Sequence, residues 1–520
     1  MEKVNIAPAN YLEQVVPDYQ GNPLIEALPQ IYSKYDVMKL LTVDPGHNEG
    51  ERELDAQYRL HSIGRLFRYF QPLDVHFDIE QRVSLAIRQS YISKNPATPK
   101  YAASLAQGAT AIREKNLNAI SGANSTAFCF TVIGMSGVGK TTAMEKVLSL
   151  YPQTILHTEY NNTPMFITQL VWAKLDCPFD GSLKGLCIDF FTYVDNVLGT
   201  DYSKKFSVYR MTVDALLPRM AQIARTHCLG LLVIDEIQHL SHVKSGGQAK
   251  MLNFFVTLVN TVGVPVVLIG TPKAKPILQS EFRQARRSSG LGALIWNNMQ
   301  NDVSWEIILR AMWKNQWTQK RVGLTDELKN VLYDESQGII DIAVKLYAMA
   351  QIKAIADRTE MVTVKGIKEV AAEKLRYVRP MLDALRSGDI KKLAQYEDVT
   401  PINIEDYLAA QSGRIAGTAP RFSKGESFSL EEQAIIKLLE MDIPSKVARS
   451  SVRKVIGKST TGQPLSSVVR KAFKLALNME TASEPMVPTP QEGDLRSAAD
   501  GNVYEILKNS GSIAETADEF

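Results

Sequence analysis

Between residues 127 and 270 the apolar positions switch repeatedly between two rhythms. Residues 128–133 form a short apolar run interrupted only by Thr131, the pattern of a strand buried on both faces. Residues 142–150 then put Ala143, Met144, Val147, Leu148 and Leu150 on mostly one side of a helix ending near Pro152. The alternation continues with a strand-like stretch at 165–175, helices at 183–198 and near 213–226, a strand at 229–234, a helix at 248–262 and a strand at 264–269. Pro265 falls at the first residues of that strand, where a missing N–H is tolerated. Strands alternating with helices predict an α/β fold on a parallel sheet, with ligands at the carboxyl ends of its strands.

From about Trp305 the period becomes helical. Thr325 reads as the N-cap of a helix at 326–336 and Gly338 as its stop; amphipathic helices follow at 340–354 and 364–378. Before residue 120 the pattern is Pro-interrupted, with one helix at 79–93 and a polar stretch at 94–99. After Pro380, short helices alternate with Gly-, Ser- and Pro-bearing linkers such as 481–492, and part of this tail is expected to be disordered unless bound. The expected organisation is an N-terminal extension packed on the core (1–125), an α/β domain (126–300), a small helical domain (301–379) and a partner-binding tail (380–520). No internal repeat is evident.

Length and composition set bounds. A chain of 520 residues is too long for one core. No apolar run reaches membrane-spanning length, and residues 1–10 lack the basic-then-apolar shape of a secretion signal, so a soluble cytoplasmic protein without membrane partners is expected. The four cysteines, Cys129, Cys177, Cys187 and Cys228, stand in or beside apolar stretches with no C-x-x-C pair, which argues for reduced core residues and against zinc. His239 and His242 share a helical face but lack a third ligand. A net charge of +3 neither demands nor excludes nucleic acid, so the distribution of charge matters more.

The chemistry is concentrated in Gly134-Met135-Ser136-Gly137-Val138-Gly139-Lys140-Thr141, a glycine-rich turn between the predicted strand and helix. Its glycines let backbone N–H groups and a helix N-terminus surround phosphate oxygens. Lys140 is placed to reach the β- and γ-phosphates, and the Thr141 hydroxyl to ligate Mg²⁺; Gly134, Gly137, Gly139 and Thr142 complete the cradle for ATP. The strand Leu231-Leu232-Val233-Ile234 ends at Asp235-Glu236. Asp235 can hold the Mg²⁺ through water, and Glu236 can accept a proton from the water attacking the γ-phosphate. Thr271, at the tip of the 264–269 strand, is the candidate for positioning that water, with a turn threonine as the alternative. Arg286 or Arg287 can supply an arginine finger in trans, with a solvated basic face as the alternative. Lys345 can approach the nucleotide from the helical domain. For DNA phosphates the candidates are Lys184, Lys204, Lys205, Arg210 and Thr212, and a solvated charge run is their alternative. A clearer basic stretch runs from Lys446 through Lys474 and reads as a surface for DNA or an acidic partner.

Phosphate loop, Asp-Glu strand, Thr-tipped strand, late arginines and helical lid occur in the order that resembles an AAA+ ATPase. A narrower resemblance is carried by Asn22-Pro23-Leu24-Ile25-Glu26-Ala27-Leu28-Pro29, Tyr69-Phe70-Gln71-Pro72-Leu73, residues 229–240, Ser245-Gly246-Gly247 and Met251-Leu252-Asn253-Phe254-Phe255-Val256. It continues through Leu268-Ile269-Gly270-Thr271-Pro272-Lys273, Ser336-Gln337-Gly338, Val344-Lys345-Leu346 and Met381-Leu382-Asp383-Ala384-Leu385-Arg386-Ser387-Gly388. Over about residues 22–388 the chain is similar to the TnsC family of regulators of Tn-seven-type transposons. The resemblance implies an ATP-dependent DNA-binding protein that polymerises as rings or filaments on duplex target DNA. It further implies a bridge from a target selector of the TnsD or TniQ type to the transposase subunits TnsA and TnsB, with the tail docking TnsA. An AAA+ helicase loader or remodelling ATPase is the competing expectation, and a signalling switch with little turnover a third, which Glu236 disfavours.

Overall fold

Eight strands are described: β1 (Ala7–Pro8), β2 (Cys129–Gly134), β3 (Thr154–Tyr160), β4 (Thr163–Leu170), β5 (Trp172–Asp176), β6 (Leu231–Asp235), β7 (Val266–Gly270) and β8 (Gly290–Trp296). Five of them form a parallel sheet in the order β5-β6-β7-β2-β8. The computed structural model describes residues 6–114, 128–206, 211–242, 247–274, 278, 290–388, 407–412, 434–435, 437–438, 445–456 and 465–480. They belong to two units, Met1–Thr418 and Ala419–Phe520.

The central strands are apolar at consecutive positions because side chains leave a strand alternately and both sheet faces are covered. Leu232 and Ile234 of β6, with Val266 and Leu268 of β7, enter a core shared with the helices Leu183–Leu198, Val213–Thr226 and Gly247–Thr257. Their neighbours Leu231, Val233, Val267 and Ile269 enter the opposite core. There Leu24, Ile25, Leu28, Val37 and the helix Asp74–Ile92 pack beside the helix Lys140–Leu148.

A third core joins Leu60, Ile63 and Leu66 to the helices Val303–Trp313, Asp326–Ser336, Ile340–Ala356 and Val364–Lys374. Arg59, only 2% exposed, fixes this union by donating from both terminal nitrogens to Glu360 at 2.7 Å each. Such a bidentate pair satisfies a buried guanidinium that would otherwise be costly. The segment ahead of the phosphate loop is thus built into two cores, one on the sheet and one among the late helices.

Several sequence expectations hold to the residue: helices at Leu183–Leu198, Val213–Thr226 and Asp326–Ser336, the last with Thr325 accepting from the Leu328 N–H at 3.3 Å. Others need correction. The single stretch at 165–175 is two strands: β4 pairs antiparallel with β3 and parallel β1 joins them, making a separate three-stranded sheet, while β5 enters the main sheet. No turn residue marks the break; Val171 is buried and donates its N–H to Gln153 O at 2.9 Å. The hairpin turn is Asn161-Asn162 at φ 48° and 60°, a conformation asparagine tolerates. Strand β8 and the helix Pro99–Glu114 were also not marked by periodicity. The helix expected at 364–378 stops at Lys374, and a new one, Arg379–Ser387, starts with Pro380 in its first turn. Met381, Leu382 and Tyr407 join the third core, so the first unit extends past residue 379 to Thr418.

In the second unit the helices Ser445–Ile456 and Leu465–Glu480 close on Val452, Val455, Val468, Val469 and Ala472, together with Ala434 and Leu438. The linker at 481–492 and the residues after it lie outside the described residues. Among the described residues no helix is long and apolar enough to cross a membrane.

Candidate nucleotide site

Strand β2 delivers the glycine-rich loop to the carboxyl edge of the sheet. Gly134 is demanded by its neighbour: a Cβ there would lie 2.4 Å from Trp296 O on β8. Gly139, at φ 99°, is the N-cap of the helix Lys140–Leu148, where its left-handed backbone turns the first N–H groups toward the loop. That helix start concentrates unpaired donors and positive dipole where phosphate is expected. Lys140 is 8% exposed, and its ammonium donates to Met135 O at 2.8 Å, folded along the same loop.

The two nucleotide motifs meet. Thr141 Oγ1 donates to Asp235 Oδ2 at 2.7 Å, joining the loop to the end of β6 across 94 residues of sequence. Asp235 is 2% exposed, and its other oxygen accepts the Glu236 N–H at 2.8 Å. The hydroxyl and carboxylate are hard oxygen donors about as close as neighbouring ligands in an octahedral magnesium shell, roughly 3 Å. They fit that ion, and among the described residues no cluster of His, Cys, Asp and Glu suggests a softer metal. Lys174 Nζ lies 2.9 Å from Glu145 and 3.8 Å from both Asp176 and Asp235. Burial opposes its charge, but the Glu145 hydrogen bond and the three carboxylates outweigh burial and raise its pKa.

Glu236 stands next in line with φ 54°, a left-handed backbone unusual for glutamate. Its carboxylate accepts from Gln238 Nε2, and Gln238 Oε1 in turn accepts the Thr271 N–H at 3.1 Å. Gln238 therefore ties the end of β6 to the turn after β7. Thr271 is 4% exposed, and its hydroxyl has no hydrogen-bond partner among the described residues. Sequence reasoning named Glu236 and Thr271 but missed Gln238, since a glutamine two places past a carboxylate belongs to no motif.

Beyond the loop a cavity of about 420 Å³ opens, within the range of small-molecule sites. Gly137, Val138, Gly139 and Thr142 form one end; Leu66, Tyr69, Phe70 and His76 from the N-terminal segment and Ile340, Val344 and Lys345 from the late helices form the other. The Asp341 N–H reaches Gly137 O at 3.4 Å, and Tyr69 OH donates to Ile308 O at 3.0 Å. His76 packs edge-on against Phe70 and Trp296 while its Nδ1 accepts the Leu73 N–H at 2.8 Å. Burial drives its pKa down to about 4, so the ring is neutral near pH 7. Tyr69 and Phe70 were visible in sequence only as part of a family-like string, without a role, and His76 was not singled out.

Residues 123–278 match the family model described as an AAA domain. The α/β core is an AAA domain. Among solved structures, the chain is similar to the ORC1 protein of Aeropyrum pernix in complex with DNA, at 13% identity and TM-score 0.34, covering 73% of this chain and 84% of that one. Cdc6p from Pyrobaculum aerophilum gives 12% identity and TM-score 0.33 over 73% and 95% of the two chains. The Walker-type ATPase paby2304 of Pyrococcus abyssi gives 13% and 0.30 over 56% and 84%. No curated protein matches the chain.

The remaining candidates divide. Lys345 reaches the cavity wall but is ion-paired with Asp341 at 2.7 Å. Lys184 stands in the first turn of the helix Leu183–Leu198, and Lys204 and Lys205 on the short helix Tyr202–Phe206, where Lys205 pairs with Asp201 at 2.7 Å. Thr212 is the exposed N-cap residue of Val213–Thr226, without a side-chain cap bond. Arg210, Arg286 and Arg287 lie outside the described residues. His239 Nδ1 engages Cys177 O at 2.9 Å, and all four cysteines are buried and free of disulfides.

Proposed function

We propose that this chain is an ATP-dependent regulator of DNA transposition. It binds ATP with magnesium in the AAA domain, assembles with copies of itself on duplex DNA as a ring or filament, and connects a target selector of the TnsD or TniQ type to the transposase subunits TnsA and TnsB. The observation that carries the nucleotide chemistry is the 2.7 Å bond between Thr141 and Asp235, with Glu236 beside it. The TnsC-like strings support the transposition role, and one of them contributes Tyr69, Phe70 and Gln71 to the cavity.

Thr141 and Asp235 would hold the magnesium, whose charge offsets that of the phosphates. Lys140 binds the β- and γ-phosphates in place of its bond to Met135. The Glu236 carboxylate takes a proton from the attacking water, and Gln238 and Thr271 orient that carboxylate and the water. Arg286 or Arg287 of a neighbouring copy neutralises charge on the transferring phosphate. A nucleotide gripped by two copies stabilises their interface by linkage, and hydrolysis releases it.

Electron microscopy with ATP and plain duplex DNA tests this reading. Wild-type chain is expected to form arrays without any partner protein, and Lys140→Ala to form none. Single particles in both samples contradict the reading and favour a loader or remodeller that acts on a partner.

A further inference from the structure

We propose that the second unit is a duplex-DNA-binding element that works without nucleotide. This inference does not depend on the ATP-dependent reading. Residues 445–480 contain eight lysines and arginines and one acid, Glu480, although the whole chain carries only +3. The unit's other acids stand outside this segment, at Glu426, Glu431, Glu432, Glu440 and Asp442 before it and from Glu484 after it. Charge is therefore segregated along the sequence rather than mixed.

The fold turns that segregation into a surface. Val452, Val455, Val468, Val469 and Ala472 point into the small core. Arg453, Lys454, Arg470, Lys471 and Lys474 are exposed on the same two helices, on the sides turned away from that core. Bases interleaved with core valines in this way cannot retreat from the surface without unpacking the helices.

Two chemistries suit a basic surface, and the apolar side chains beside it decide between them. A protein partner ordinarily needs an apolar or aromatic anchor at the centre of its interface. Among the residues of this unit whose side chains are described, Leu475 at 36% is the one large apolar side chain with that much exposure. Spread positive charge without an anchor suits a regular polyanion, whose bound counterions are released as Lys and Arg replace them.

The test uses the full-length chain and a fluorescent 30-base-pair duplex of arbitrary sequence, without nucleotide, across a salt series. Wild type is expected to bind with a steep salt dependence. The quadruple variant R453E/K454E/R470E/K471E is expected to lose at least about tenfold in affinity near 0.1 M salt, and its slope of log affinity against log salt to flatten by up to about 4. Because charge reversal can unfold a small unit, R453Q/R470Q serves beside it, with half the flattening expected and helicity checked by circular dichroism. Lys140→Ala is expected to retain this binding in full, which separates the inference from the ATP-dependent reading. Affinity and slope unchanged in both variants overturn the proposal. So does displacement of the duplex by polyglutamate at equal charge concentration, which would assign the surface to an acidic protein.

Discussion

The loop end of the cavity is lined by Gly137, Val138, Gly139 and Thr142 from one short stretch of chain, whereas its apolar end is assembled from residues 66–76, Ile308 and residues 340–345, more than 200 positions apart. The groups on offer at the first end are backbone N–H groups and one lysine, and their geometry is set by local turns. At the second end no residue is special by itself. Tyr69, Phe70 and Val344 form a wall only because the N-terminal segment is built into both the sheet-facing core and the core of the late helices. The phosphate end is therefore expected to respond to single chemical changes, and the apolar end to changes in packing and in the union of segments.

The largest effect falls at the junction of the motifs. Glu236→Gln is expected to lower ATP turnover by about 10²–10⁴-fold while leaving ATP binding intact, measured by phosphate release and by nucleotide titration. Retained turnover would assign the proton transfer to another group. Next comes acid sensitivity beneath the apolar end. The native His76 ring titrates near 4, below its unfolded value of 6.5, so as pH falls through this window the unfolded chain gains its proton first. Stability is full above pH 6.5 and is lost toward pH 4, by about 3 kcal/mol at most from this residue. His157 and His227, also depressed by burial, add loss of the same sign. Denaturant melts of His76→Gln should show a flatter pH profile than wild type.

Two further substitutions separate the ends of the cavity. Lys140→Ala is expected to weaken ATP and inorganic triphosphate alike, by about 2 kcal/mol, since the charged contact is to phosphate. Phe70→Ala is expected to weaken ATP by about 1 kcal/mol and leave inorganic triphosphate unchanged, since an aromatic wall meets only the base and sugar. Equal losses for both ligands in Phe70→Ala would mean that the N-terminal segment shapes the loop rather than the far wall.

What was legible in the sequence follows the same division. The helices Leu183–Leu198 and Asp326–Ser336 and the strands carrying the two nucleotide motifs have continuous local patterns, so periodicity and caps locate them. Strand β3 was hidden because His157, Thr158 and Glu159 break its apolar rhythm, and β8 because Gly290 and Gly292 interrupt its own. Gln238 and Thr271 lie 33 residues apart and meet only once β6 and β7 pair. His76 lies outside the helix expected at 79–93, and only the fold places Phe70 and Trp296 around it.

The most direct measurement is the lifetime of the complex with duplex DNA after ATP is added, compared between wild type and Glu236→Gln. If Thr141, Asp235 and Glu236 form the hydrolytic centre that times assembly, the variant persists many-fold longer than wild type, and it does so only when ATP is present. Equal lifetimes, or a longer lifetime that needs no ATP, would contradict that role.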